Sequence, residues 1–308
     1  MGQATREAFG KVLAELIQEN DKIVVLDADL TKSTKTADAQ KVCPDRHFNL
    51  GIAEGNMMSV AAGMAASGYT VFASSFAMFA SGRAWEQVRN SIAYPHLNVK
   101  VCGTHAGISV GEDGASHQAI EDIALMRAIP MMKVYQPCDA VQTEAIIRHI
   151  AQEKGPCYVR LGRGKVDDVY TDASQFKVGK ITTLHQGSKV AIFATGLLVQ
   201  EALQAKEKLQ ALGVNPTIVD VSCLKPLDTE GVLEVFKTHD NIISVEEHNI
   251  IGGLGAALAE VATSEYPIKI HRIGMQDVFG ESGPADKLLE KYGLTSESIV
   301  QKVVEICK

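Results

Sequence analysis

The stretch Gly103–Gln118, GTHAGISVGEDGASHQ, gathers two histidines, an Asp–Glu pair and several glycines and serines behind a short apolar run. Such a loop can set His105, Asp113 and His117 around one small polar ligand. The imidazoles would then move protons while the carboxylate accepts from a hydroxyl. The spacing matches no standard metal-ligand motif, and no metal ligands are assigned. A solvated glycine-rich turn is the competing reading. A second signal is the lone carboxylate Glu54 in GIAEGNMMSVAAGMAASGY, after which no charge follows until Arg83. Glu54 is either a surface acid favoured by a helix N-terminus or a buried acid held for chemistry. Gly252–Gly255, GGLG, opens a helix but lacks a full phosphate-binding spacing. Close helix–strand packing or a subunit contact is the preferred reading there. The neighbouring Glu246–Glu247–His248 reads as a strand-end surface and is assigned no role.

The elements that must position these residues alternate between helical periodicity and short apolar runs. TREAFGKVLAELIQEN, the Gly51–Ser67 segment, GRAWEQVRNSIA, HQAIEDIALMRAI and AVQTEAIIRHIAQE read as helices. KIVVLDADL, YTVFASSF, NVKVCGTH, MMKVYQP and CYVRLGR read as strands. This alternation predicts mostly parallel sheets flanked by helices. A polar, turn-rich stretch over 165–187 reads as a linker between two doubly wound α/β domains, 1–164 and a smaller 188–308. In such sheets ligands gather beyond the carboxyl ends of the strands.

Composition narrows the function. A length of 308 residues suits two domains, and 46% hydrophobic with 22% charged residues suits a soluble protein with a sizeable core. A net charge of −7 argues against non-specific nucleic-acid binding but allows a local basic pocket. The six cysteines form no C-x-x-C pair, which fits a reduced, cytoplasmic protein. The start MGQATREAFG lacks a signal-peptide core. The uncharged run from Gly55 to Gly82 is too broken by serine, asparagine and glycine for a membrane span.

Taken in order, these segments resemble the C-terminal portion of transketolase, its pyrimidine-binding domain followed by its C-terminal domain. GEDGASHQ is similar to the family's G-E-D-G-P-T-H-Q and is preceded by the family's T-H as Thr104–His105. GIAEGNM resembles the segment with the catalytic glutamate, and ATR, ADLTKS and LGR resemble substrate-binding stretches. The resemblance implies that Glu54 hydrogen-bonds a pyrimidine nitrogen of thiamine diphosphate from a nearly dry pocket, where burial favours the neutral acid. Phe76 and Phe79 would flank that ring, and Ile52 would shape the cofactor's conformation. His105 and His117 would handle protons at the donor sugar and Asp113 would select its stereochemistry. Arg6, Ser33 and Arg163 would hold the substrate phosphate. The chain departs from the family at Gly82, where a tyrosine is frequent, and at Ala115–Ser116, where Pro–Thr is usual.

The chain contains no G-D-G motif, which in the family precedes an asparagine and holds the diphosphate and Mg²⁺ through oxygen ligands. The resemblance therefore implies half an enzyme of the pentose phosphate pathway. A separate N-terminal transketolase subunit would hold the metal and diphosphate in an α2β2 heterotetramer, and a ketol unit would pass between sugar phosphates. Two alternatives stand beside it. One is a subunit of a related thiamine-diphosphate enzyme, such as a deoxyxylulose-phosphate-synthase-like protein or a 2-oxoacid dehydrogenase β subunit. The T-H-x₇-D-x₃-H spacing speaks against it. The other is a non-catalytic pairing subunit, which would need neither Glu54 nor the histidines.

Overall fold

The computed structural model describes residues 2–307. The first half contributes β1 (Ile23–Asp27), β2 (His47–Asn49), β3 (Thr70–Phe76), β4 (Val99–Thr104), β5 (Lys133–Tyr135) and β6 (Cys157–Arg160). The second half contributes β7 (Thr182–His185), β8 (Lys189–Ala194), β9 (Thr217–Asp220), β10 (Cys223–Lys225), β11 (His239–Asn249) and β12 (Ile270–Met275). Two sheets result, ordered β10-β5-β6-β4-β3-β1-β2 and β12-β11-β8-β9-β7. Every pairing is parallel except β10 with β5 and β7 with β9. The fully buried strands β1, β3, β4 and β6 explain the continuous apolar runs, because a parallel sheet covered on both faces has no polar side.

Two features differ from expectation. The stretch read as a linker contains β7, whose antiparallel pairing with β9 makes it an edge of the second sheet. Its side chains are only half-buried, which is why its apolar signal is weak. Strand β10 belongs to the second half in sequence yet completes the edge of the first sheet.

The helix Glu54–Ala66 buries Glu54, Met57, Met58, Ala61, Ala62 and Ala65, the 3–4 spacing of one helical face. Its opposite face exposes Asn56, Ser59, Gly63 and Ala66 and carries no charge. The segment after β3 is helical but wide. Met78–Arg83 and Val88–Ala93 are π-helical turns on either side of Trp85–Gln87. The amides of Ala84 and Tyr94 accordingly reach back five residues, to the carbonyls of Phe79 and Arg89. Such turns recur at functional sites, and the first of these carries Phe79 and Arg83.

Candidate active site

Strands β6, β4, β3 and β1 are consecutive in the first sheet, and the loops at their carboxyl ends supply most of the residues singled out above. The loop after β1 carries Ser33. Fully buried Asp27 anchors it, accepting from the hydroxyls of Thr31 (3.0 Å) and Thr36 (2.8 Å). His47 Nε2 lies 2.8 Å from Asp27 at ion-pair distance, although neither ring nitrogen is aligned for a hydrogen bond.

Glu54 is 1% exposed at the head of its helix. It has a partner that the sequence did not suggest: Arg83 Nη1 donates to its Oε2 at 2.8 Å. The buried carboxyl thus sits under a half-exposed guanidinium. The same guanidinium lies 4.6 Å from the Phe79 ring centroid. Phe79 stacks near Phe76 at 6.1 Å, and Phe76 stacks on the His105 imidazole at 3.9 Å. His117 meets the edge of Phe79 at 5.2 Å and that of Phe76 at 6.2 Å. From Glu54 to His105, the contacts form one unbroken line of planar groups.

His105 is the pivot. It is buried, and its backbone sits at φ 56°, a left-handed conformation costing a non-glycine residue about 1–3 kcal/mol. Thr104 Oγ1 lies 2.9 Å from its Nδ1 and Arg6 Nη1 lies 3.3 Å from its Nε2. A guanidinium only donates, so Nε2 accepts and Nδ1 carries the proton. Burial lowers the His105 pKa to about 3, and the charges of Arg6, Arg163 and His117 add to the effect. The imidazole is therefore neutral throughout the physiological range.

Arg6 also donates to the carbonyl of Ser33 at 2.8 Å and to that of Arg163 at 3.1 Å. Burial lowers its pKa, and the neighbouring Arg163 adds to that. Ser33 was expected to offer its hydroxyl, but here it takes part through its backbone. Arg163 donates to the Val110 carbonyl and, at 3.3 Å, to Glu112. Arg6, Ser33, Arg163 and His105 are thus brought together. Asp113 is exposed and has no hydrogen-bond partner among the described residues, and Ile52 is 75% exposed. Neither is drawn into the cluster. Gly82 leaves room for a side chain, since a Cβ there would meet only Met78 Cε at 3.6 Å.

The acidic trio at 246–248 is not a surface. Glu246, Glu247 and His248 are all buried on β11, where the two halves of the chain meet. Glu246 accepts from the amides of Leu254 (2.6 Å) and Gly255 (2.8 Å) and so caps the helix Leu254–Ser264. This explains GGLG as a packing turn: a Cβ on Gly253 would meet Glu246 Oε2 at 1.9 Å. The N-terminus that might have bound a phosphate already holds a carboxylate. Sequence reasoning missed this because two adjacent glutamates and a histidine look solvated unless the strand is known to run through an interface.

No group of three or more histidine, cysteine or acidic side chains among the described residues is arranged to hold a metal ion. No helix among them is long and apolar enough to cross a membrane.

Comparison with known proteins agrees with this architecture. Residues 1–168 match the family model for the transketolase pyrimidine-binding domain, and residues 179–299 match that for the transketolase C-terminal domain. The chain is 51% identical over 306 residues to a putative transketolase C-terminal section of Methanocaldococcus jannaschii, covering 98% of this chain and 96% of that one. It is 40% identical over 301 residues to the 6-deoxy-6-sulfo-D-fructose transketolase subunit SqwH of a Clostridium species, covering 98% and 94%. A solved structure described as a split gene transketolase, inactive beta4 tetramer, superposes with a TM-score of 0.90 at 51% identity, covering 99% of this chain and 98% of that one. The chain belongs to the transketolase family and spans its pyrimidine-binding and C-terminal domains.

Proposed function

We propose that this chain is the C-terminal subunit of a two-chain transketolase, moving a two-carbon ketol unit from a ketose phosphate to an aldose phosphate once an N-terminal subunit is bound. The supporting observation is the continuous line Glu54–Arg83–Phe79–Phe76–His105–Arg6, which joins a buried acid, an aromatic platform, a neutral imidazole and a guanidinium in one place. Thiamine diphosphate, when bound, supplies the carbon nucleophile that carries the transferred unit. The residues fit its pyrimidine end. Arg83 here satisfies Glu54 and covers Phe79 with a planar N–H donor, which is what an aminopyrimidine also is. Glu54 would hold a proton at a ring nitrogen, Phe76 and Phe79 would stack and exclude water, and Ile52 would contact the ring from the exposed side.

His105, neutral and acceptor-competent at Nε2, would take and return the proton of a donor-sugar hydroxyl, with His117 as the second shuttle. Asp113, free to accept, would select one hydroxyl configuration. Arg6 and Arg163 would hold the phosphate, with the Ser33 loop beside them. The G-D-G motif expected to hold Mg²⁺ or another divalent cation is not in this sequence, and that role would fall to the N-terminal subunit. The uncharged outer face of the Glu54–Ala66 helix suits burial against such a partner or against a second copy of this chain, giving α2β2. Such a protein would work in the cytoplasm.

The test is to tag the chain in its own host and identify by mass what co-purifies. A stoichiometric partner carrying G-D-G and a downstream asparagine, and ketol transfer by that complex, is the expected result. A chain that purifies alone from pentose-grown cells with the cofactor supplied would sink the proposal in favour of a non-catalytic role.

A further inference from the structure

The loop Thr104–Gln118 carries three of the proposed site residues and is held from both halves of the chain, within its own half by Arg6, Arg163 and the Phe76 ring. Behind its base lies a cavity of about 220 Å³ lined by Thr5, Ala106, Ser109, Gln136, Arg160 and Glu247. Of the loop, only Ala106 and Ser109 line it, while Ile108 and Val110 are fully buried. From the second half, the helix Ala285–Lys291 packs along Ile108–Asp113, with Ile108 and Leu288 in one buried apolar cluster, and two further contacts fasten the loop.

The first contact is Glu247. Its side chain, 2% exposed on β11, accepts the Ser109 amide at 2.6 Å. It also sits flush under the loop backbone at Gly107, where φ is +80° and a Cβ would meet the carboxyl carbon at 2.2 Å. Only glycine allows that approach. Arg160 completes the anchor: its Nη2 donates to the Glu247 carbonyl at 3.0 Å while its Nε binds Asp122 at 2.8 Å. The second contact is the segment Phe279–Gly283. Gln118 Nε2 donates to the Glu281 carbonyl at 2.9 Å, and Gly280 packs so tightly that a Cβ would meet Gln118 Oε1 at 1.9 Å. At the loop's midpoint, a Cβ on Gly114 would meet Ser282 Oγ at 2.4 Å.

We propose that Glu247 and the Phe279–Gly283 segment are positioning elements. Together they clamp the His105–Gln118 loop from two points so that His105, Asp113 and His117 face the sugar in register. The C-terminal domain thereby serves catalysis without touching substrate. This rests on the proposed transketolase reading for its catalytic consequence, though not for its structural one. A loop fastened at its start and its end, over a cavity, loses its geometry when either fastening goes. Displacements near 1 Å at such a site cost about 100-fold in rate.

The test uses the full chain and three variants. Hydrogen exchange of the purified chain, which needs neither partner nor cofactor, is read over residues 105–118 and over the Glu54–Ala66 helix. Glu247→Ala is expected to speed exchange in the loop at least tenfold and leave the helix unchanged. Glu247→Gln, which keeps an acceptor for Ser109, is expected to restore most of the protection. Gly280→Ala, at a half-buried position in the loop ahead of the helix Ala285–Lys291, is expected to loosen the 114–118 end. In the complex with the N-terminal subunit, Glu247→Ala and Gly280→Ala should lower kcat/KM about 10–100-fold, with Glu247→Gln near wild type. Unchanged loop exchange in both Glu247→Ala and Gly280→Ala overturns the clamp. Should Glu247→Ala fail to fold, Gly280→Ala alone decides it. Faster exchange in a protein whose wild-type complex transfers no ketol unit would leave the clamp standing and remove the function proposed for it.

Discussion

Arg83 Nη1 lies 2.8 Å from Glu54 Oε2 and its guanidinium lies 4.6 Å from the centre of the Phe79 ring, so one side chain covers two of the groups expected to meet the cofactor. Stability and turnover should therefore separate in variants of this pair. Removing the guanidinium leaves a buried acceptor short of its donor, whereas Glu54→Gln keeps an oxygen acceptor for Arg83 and removes the carboxyl's charge and its ability to exchange a proton. We expect Arg83→Ala to cost about 1–3 kcal/mol in denaturant unfolding and Glu54→Gln to cost less. In the assembled enzyme the order should invert, with Glu54→Gln losing about 100-fold or more in kcat. Full turnover by Glu54→Gln would end the catalytic reading.

His105 is expected to behave as a permanently neutral imidazole. Its pKa lies near 3 because burial and three neighbouring cationic or polar groups oppose the charged form. A depressed pKa means that the folded protein resists protonation of this group. Its contribution to stability is complete above the ordinary histidine value of 6.5 and declines as pH falls from there toward 3. NMR of the imidazole should show no titration of His105 between pH 5 and 8. An inflection in that window would contradict the contact with Arg6.

Arg6 and Arg163 should act on binding of the phosphorylated end and not on the chemical step. Each is already preorganised, Arg6 by two backbone carbonyls and Arg163 by the Val110 carbonyl. Arg6→Ala is expected to raise KM for a phosphorylated donor about 10–150-fold, in keeping with about 1.5–3 kcal/mol for a charged hydrogen bond. A larger loss in kcat than in KM would instead assign Arg6 to His105, which it touches at 3.3 Å.

Burial raises the pKa of Glu247 from the ordinary 4.5 to about 7, against the opposing pull of Arg160 and the Ser109 amide and with Asp122 adding to the rise. A folded-state pKa above the unfolded one means the native protein binds the extra proton. This contribution to stability is present at low pH and is lost as pH rises from about 4.5 through 7. Glu247→Gln abolishes that titration. The Tm of the variant relative to wild type should therefore be more favourable at pH 8 than at pH 5. A pH-independent difference would show that Glu247 does not titrate in this range.

The parallel sheets and most helices were legible in the sequence because β1, β3, β4 and β6 are buried on both faces and read as unbroken apolar runs. Helix Thr5–Glu19 declared itself through its one-sided apolar spacing. The site loops were legible too, since Glu54, Phe76, His105 and Arg163 stand where an α/β sheet gathers ligands. What stayed hidden are contacts between distant segments. The Glu54–Arg83 pair joins a helix start to a π-turn, whose extra residue per turn shifts which side chains face inward. The burial of Glu246–Glu247–His248 depends on the first half of the chain docking against β11 through Ser109, Ala124 and Arg160. The half-buried β7 carries too little hydrophobic alternation to stand out from a polar stretch.

Strand β10 has a consequence for how this polypeptide can be divided. Its three residues seal the edge of the first sheet at β5, and Lys225 Nζ reaches the carbonyls of Arg127 (2.7 Å) and Ile129 (2.5 Å), finishing the helix Asp122–Ala128. A gene cut between the two matched regions would leave β5 with a raw hydrogen-bonding edge and those carbonyls bare, a template for aggregation. The pyrimidine-binding and C-terminal regions therefore form an indivisible inheritance, and the stitch at β10 resists any severing between them.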